Sequence, residues 1–308
     1  MAISMRRTIF IAVLSSFFYV LAMCMNAKAE SEAWKQNTNN NHVLSIQTVG
    51  GNPNLEGDVK IDFYGHAAFQ ITSPVGLKIL FDPWRNDPSG AWGLWFPEAF
   101  PSIETDVVLS THAHFDHDAI YSPVASMVLD RMAGVWELAD VRIIGLADKH
   151  VCISPGVHPW HKAFDEVGID GCPPNNPGHM DNVIFIIQTG GKRIAIWGDN
   201  RADPPPEILA QLNDLDMLIL PIDSSEHLLS YEQSDTLVNV LKPKLVIPAH
   251  YLTDGVSSIL STLGDAKTWI DRHSSTQPIT GPSFLLNSAS LVNRGRHIMY
   301  FLSSHQPN

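Results

Sequence analysis

Short apolar runs separated by turn residues dominate the chain after residue 42. Residues 43–49, 59–64, 68–72 and 77–81 read as strands, because Gly50-Gly51-Asn52, Gly65 and Pro74-Val75-Gly76 interrupt them. An antiparallel meander is the economical arrangement. The apolar run 107–110 ends in Thr111-His112-Ala113-His114-Phe115-Asp116-His117-Asp118, after which the pattern predicts a helix over 119–129 and strands over 141–145 and 149–154. Runs 182–188 and 192–197 flank Thr189-Gly190-Gly191, a strong hairpin signal. The rest alternates: helix 206–212, strand 217–222, helix 231–241, strand 244–249, helix 256–273, and late strands near 283–286 and 298–302. No low-complexity tract or linker divides residues 42–308, so one domain is expected there.

The first residues change that picture. Arg6-Arg7, an almost wholly apolar stretch from Thr8 to Met25 and Ala27-Lys28-Ala29 resemble a secretory signal peptide over residues 1–29, with an uncleaved anchor as the alternative. Residues 30–41 are polar and aperiodic, which reads as a flexible leader. A periplasmic or secreted location follows, with no stable membrane span once the signal is cleaved. There Cys152 and Cys172 either pair or remain free thiols. The formal charge is −12 over 308 residues, and cleavage removes Arg6, Arg7 and Lys28. A body this acidic disfavours nucleic acid and anionic membrane as partners. The 44% hydrophobic content is ample for a core.

Chemistry concentrates in Thr111–Asp118. On a strand, residues two apart face the same way, so His112 and His114 converge, and a turn into the next element swings Asp116 and His117 to an adjacent point. Imidazole and carboxylate suit a divalent cation, and burying so many polar groups without a partner costs about 1–3 kcal/mol for each. His179 precedes the predicted hairpin and Asp199 follows it, so the two lie at one end of the sheet. Asp82 and His250 each follow an apolar strand, at the carboxyl end where functional side chains gather in α/β folds. Trp84, Trp92, Trp95, Phe96 and Phe100 crowd an aperiodic loop, either a packed surface loop or an apolar wall over a pocket. No Gly-x-Ser-x-Gly motif or thiol sits among these groups to support covalent catalysis.

In this order the residues resemble the metallo-beta-lactamase superfamily. Tyr64-Gly65-His66-Ala67-Ala68-Phe69, Phe81-Asp82-Pro83, Gly178-His179-Met180-Asp181-Asn182 and Ile247-Pro248-Ala249-His250-Tyr251 are similar to the branch of ascorbate-phosphate lactonase-like and N-acyl-phosphatidylethanolamine phospholipase D-like hydrolases. The resemblance implies an α/β fold, a four-layer αβ/βα sandwich of two mixed sheets with outer helices. It implies two divalent ions, zinc first with manganese or iron as alternatives. His112, His114 and His179 would hold the first ion, Asp116, His117 and His250 the second, and Asp199 would bridge them. Asp82 would orient ligand histidines. His66 either meets substrate or fills space.

The expected activity is hydrolysis of an ester, lactone or phosphodiester by a hydroxide shared between the ions, with Asp116 guiding or accepting its proton. A small-molecule or lipid-like substrate is implied, while the oligomeric state is not. The alternatives are a beta-lactam hydrolase and a non-catalytic metal-dependent sensor. Two departures bear on substrate: Asp223-Ser224-Ser225-Glu226-His227 replaces an expected glycine-rich turn, and Asn200-Arg201 replaces a small hydroxyl residue after Asp199. Arg201 therefore either meets an anionic substrate group or pairs with a neighbouring acid.

Overall fold

Apolar N-terminal strands, buried at nearly every position, set up the first sheet. The computed structural model describes residues 52–90, 92–156, 181–259, 261–291 and 297–305. Strands β1 (Val59–Phe63), β2 (Phe69–Thr72) and β3 (Lys78–Phe81) form the predicted antiparallel meander, and the run predicted at 43–49 lies outside the described residues. Strand β4 (Glu104–Ser110) adds to β3 in parallel, followed by β5 (Val124–Asp130). With β13 (Ser283–Leu286) the order is β13-β1-β2-β3-β4-β5.

The second sheet has the order β12-β14-β11-β10-β9-β8-β7-β6. Its strands are β6 (Gly134–Leu138), β7 (Val141–Lys149), β8 (Asp181–Thr189), β9 (Lys192–Ile196), β10 (Met217–Pro221), β11 (Leu245–Ala249), β12 (Thr276–Ile279) and β14 (His297–Phe301). Strands β6 to β9 are antiparallel, whereas β9 to β14 and β12 pair in parallel. Gly190 and Gly191, at φ 63° and 71°, turn the β8–β9 hairpin in the left-handed region that glycine tolerates. Both sheets are mixed, as expected of the α/β sandwich. Phe301 of the second packs on Phe63, Phe69 and Phe284 of the first at centroid separations of 5.0, 6.0 and 5.9 Å.

The helices are sparser than the sequence pattern implies. Among the described residues only α2 (Tyr231–Leu241) exceeds one turn, beside α1 (Pro206–Leu209), α3 (Lys267–Ile270) and α4 (Ser288–Leu291). Helix α2 starts with a capping box between Ser230 and Gln233 and buries Ser234, Leu237, Val238 and Leu241, one face at helical spacing. The helix expected over 119–129 is instead β5. Pro123 drives Ser122 out of the helical region, and the residues after it extend alongside β4. The helix expected over 256–273 shrinks to α3. Ser257 donates its backbone N–H to Trp95, and Gly264 turns the chain tightly against Ser224, where a Cβ would lie 2.0 Å from the hydroxyl oxygen.

Pairing directions explain where function collects. Within the first sheet β1, β3 and β4 run parallel to one another; within the second β7, β9, β10 and β11 do. Their carboxyl ends therefore share one edge of each sheet. Direct ties join those edges, from Val183 N–H to Thr111 O at 2.9 Å and from His250 N–H to His66 O at 2.9 Å.

Candidate metal centre

Six of the seven strands in that set end one to three residues before a functional side chain. β1 leads to His66, β3 to Asp82, β4 to His112, β7 to His150, β9 to Asp199 and β11 to His250. The side chains converge in two adjoining groups: His112, His114, His150 and Asp199 in one, His66, Asp116, His117 and His250 in the other. Within each, the ligand atoms lie within 4.8 Å of one another.

Asp199 reaches both groups. Its Oδ2 lies 3.4 Å from His112 Nε2, 3.3 Å from His150 Nε2 and 3.5 Å from His250 Nε2, while Oδ1 lies 3.4 Å from His117 Nε2. Asp116 Oδ2 stands 3.6 Å from His117 Nε2 and 3.5 Å from His250 Nε2. Those separations are too long for good hydrogen bonds, yet they match the edge of a coordination tetrahedron, about 3.4 Å for ligand bonds of about 2.1 Å. His112 Nε2, His117 Nε2, His250 Nε2 and Asp199 Oδ1 are buried without a hydrogen bond. Orphaned donor atoms converging at ligand spacing fit divalent cations.

Surrounding contacts decide which ring nitrogen faces inward. Asp82 accepts from Thr111 N–H at 2.7 Å and Thr111 Oγ1–H at 2.8 Å, and its Oδ2 lies 3.0 Å from His117 Nδ1. Thr111 Oγ1 in turn meets His112 Nδ1 at 3.0 Å. One carboxylate therefore orients two histidines, leaving each Nε2 for the cation. His150 Nδ1 is engaged by Val151 O at 2.6 Å, with the same result. Asp82, His66 and His250 adopt φ of 45°, 57° and 58°, a left-handed backbone that costs energy and clusters at functional sites.

The loop carrying Asp199 is equally determined. Asn182 Oδ1 accepts Asp199 N–H at 3.2 Å, and Asn182 Nδ2 donates to Trp197 O at 3.1 Å. Gly198, at φ 60°, leaves no room for a Cβ, which would sit 2.7 Å from Thr111 Cβ. Asn200 donates to Asp148 at 2.8 Å, and Arg201 donates to the same buried carboxylate at 2.8 Å. Arg201 is thus paired with an acid, the second of the two roles read from the sequence.

Charge is strongly coupled here. Burial would push His117 down, but the carboxylates of Asp199, Asp116 and Asp82 hold its imidazolium up to about 10. Burial and neighbouring imidazoles push His66 and His114 down to about 3. Burial opposes ionisation of Asp116 and Asp199, yet His117 and its neighbours keep both well below the usual carboxylate range.

The structure therefore brings together His112, His114, Asp116, His117, Asp199 and His250 from the sequence reading, while His179 lies outside the described residues. It adds two residues. His66 enters the second group directly, its Nε2 3.0 Å from Asp116 Oδ2. His150 was absent from the sequence reading, which placed it inside a second strand over 149–154; instead the strand begun at Val141 runs through to Lys149 and stops there. Its signal was the one that found His250, a histidine just past an apolar strand.

Residues 60–250 match the family model described as a beta-lactamase superfamily domain. A UPF0173 metal-dependent hydrolase of Pelotomaculum thermopropionicum is 30% identical over 207 residues, covering 63% of this chain and 85% of the relative. Another from Pyrococcus furiosus is 30% identical over 203 residues, with the same coverage of 63% and 85%. Among solved structures, a Thermotoga maritima protein described provisionally as a Zn-dependent hydrolase of the metallo-beta-lactamase superfamily superposes with a TM-score of 0.54 at 19% identity. That superposition covers 79% of this chain and 98% of the other, and bears on the fold. With the family match running from β1 to His250, across every element that supplies the paired groups, the chain belongs to the beta-lactamase superfamily.

Proposed function

We propose that the chain is a metal-dependent hydrolase using two divalent ions, one in each side-chain group, on an ester, lactone or phosphodiester. The observation that carries the proposal is Asp199, which stands between the groups: its Oδ2 lies 3.3–3.4 Å from His150 and His112 of one and 3.5 Å from His250 of the other, and its Oδ1 lies 3.4 Å from His117 of that other group. Its relatives' designation as metal-dependent hydrolases supports the same reading. Zinc fits the imidazole-rich donor set, and manganese or iron remain alternatives.

Divalent ions held there supply Lewis acidity and lower the pKa of coordinated water to about 7. The chain does the rest. Asp82 and Thr111 fix the rings of His117 and His112, and Asn182 fixes the backbone of Asp199. Asp116 Oδ2, beside His66 Nε2, is the carboxylate placed to accept a proton from attacking water. Trp95 and half-buried Phe115, edge-to-face at 5.3 Å, give the site an apolar wall, which favours a substrate with an apolar group.

Tyr64-Gly65-His66 and Ile247-Pro248-Ala249-His250-Tyr251 support a place near the lactonase-like and phospholipase D-like branch. Cys152 is disulfide-bonded, which supports an oxidising compartment, periplasmic or extracellular. Among the described residues no helix is long and apolar enough to cross a membrane.

Metal analysis of the purified chain with His114→Ala and Asp199→Ala, beside esterase, lactonase and phosphodiesterase assays, tests the proposal. Bound metal should fall in both variants, and the wild type should turn over at least one substrate class. Unchanged metal content in both variants refutes the centre. Full loading without turnover refutes the hydrolase.

A further inference from the structure

The loop Asp223–His227, which departs from the expected glycine-rich turn, ends in a histidine that belongs to neither metal group. It follows β10, whose carboxyl end lies beside those of β9 and β11, so it opens on the same edge as the metal centre. The His227 ring lies nearly parallel to that of His250, 5.7 Å away at 14°, and meets Trp95 edge-on at 6.2 Å.

The loop is held firmly. Buried Asp223 accepts from Ser225 N–H at 2.7 Å and Gly264 N–H at 3.4 Å. Ser154 Oγ–H donates to His227 O at 2.7 Å, and Gly156 approaches so closely that a Cβ would lie 1.9 Å from Ser225 O. Such anchoring fixes one ring position in advance of any ligand.

His227 Nδ1 lies 3.3 Å from Thr262 Oγ1. Among the described residues its Nε2 has no hydrogen-bond partner, and it is not one of the fully buried orphan atoms, so on this half-buried ring Nε2 keeps some exposure. We propose that His227 is a substrate-contacting residue: the Thr262 hydroxyl donates to Nδ1, which leaves Nε2–H to hydrogen-bond an oxygen of the ester or phosphodiester beside the apolar face of Trp95. The assignment rests on the hydrolase reading above. It names a recognition group for a substrate pairing a polar oxygen with an adjacent apolar portion.

The test compares wild type, His227→Ala and His227→Gln, each metal-loaded. The readouts are metal content, kinetics on bis(4-nitrophenyl) phosphate and 4-nitrophenyl butyrate, and calorimetric binding of inorganic phosphate. Metal content should be unchanged in both variants. In His227→Ala, kcat/KM should fall about 10- to 100-fold and phosphate should bind about tenfold more weakly, the loss expected for one hydrogen bond to a charged group. His227→Gln, which retains a donor at similar reach, should recover to within about fivefold of wild type in both readouts. Loss of metal in His227→Ala overturns the assignment by making His227 a ligand. So does wild-type phosphate binding and kinetics in His227→Ala, or an equal defect in both variants. If wild type turns over neither probe, the hydrolase reading fails on these substrates, and phosphate binding alone decides the role of His227.

Discussion

Asp82→Asn isolates the role of one carboxylate that touches no candidate ion. At φ 45° the position suits asparagine, which tolerates the left-handed region better than most residues, so the backbone should survive. The amide oxygen can still accept Thr111 N–H at the site of the 2.7 Å bond. The amide nitrogen, in place of Oδ2, cannot accept from Thr111 Oγ1 or from His117 Nδ1. Two hydrogen bonds to a charged acceptor are lost, each contributing about 1.5–3 kcal/mol. His117 then loses the contact that selects its tautomer, and His112 is loosened through Thr111 Oγ1. Orienting contacts of this kind contribute about 10- to 100-fold in metal affinity. Competition for zinc against a chromogenic chelator should show affinity reduced by that factor, while circular dichroism confirms a folded protein. Wild-type zinc affinity in a folded Asp82→Asn protein would refute the orienting argument.

Three further predictions concern protonation and the loop that presents His227. Without metal, His117 titrates near 10, so the cation competes with a proton there throughout the neutral range. Metal affinity should therefore rise with pH, and binding at pH 7–8 should release protons, which calorimetry in buffers of different ionisation enthalpy will detect. The raised pKa also means that this group's contribution to metal-free stability is complete below about pH 6.5, the unfolded value, and is lost as pH climbs through about 10. Chemical denaturation of the metal-free protein across that window checks the sign. Gly156→Ala would drive a Cβ into Ser225 O, so a loss of about 1–3 kcal/mol is expected, with reduced activity and full metal content. An unchanged unfolding midpoint would show that the loop is not held there.

Periodicity and turn chemistry alone specified the meander, the β8–β9 hairpin and α2, because each is closed by local signals: Gly65, Gly190-Gly191 and the Ser230–Gln233 cap. The histidines and aspartates after apolar strands exposed most of the metal centre for a related reason. Parallel strands deliver their carboxyl ends to one edge, so a ligand can be recognised from its place at a strand's end. Local pattern misread β5 and residues 256–273, where partners distant in sequence override helical spacing. Strand β5 is chosen by its pairing with β4, and the later stretch by its contacts with Trp95 and Ser224. His150 and the direct placement of His66 required tertiary structure too. Their meaning depends on which atoms stand 3.0–3.3 Å away at the shared strand ends, and Asp199 and Asp116 are 49 and 50 residues distant from them in the chain. The ligand types were legible in the chain, whereas their grouping was decided by the packing of one sheet edge against the other.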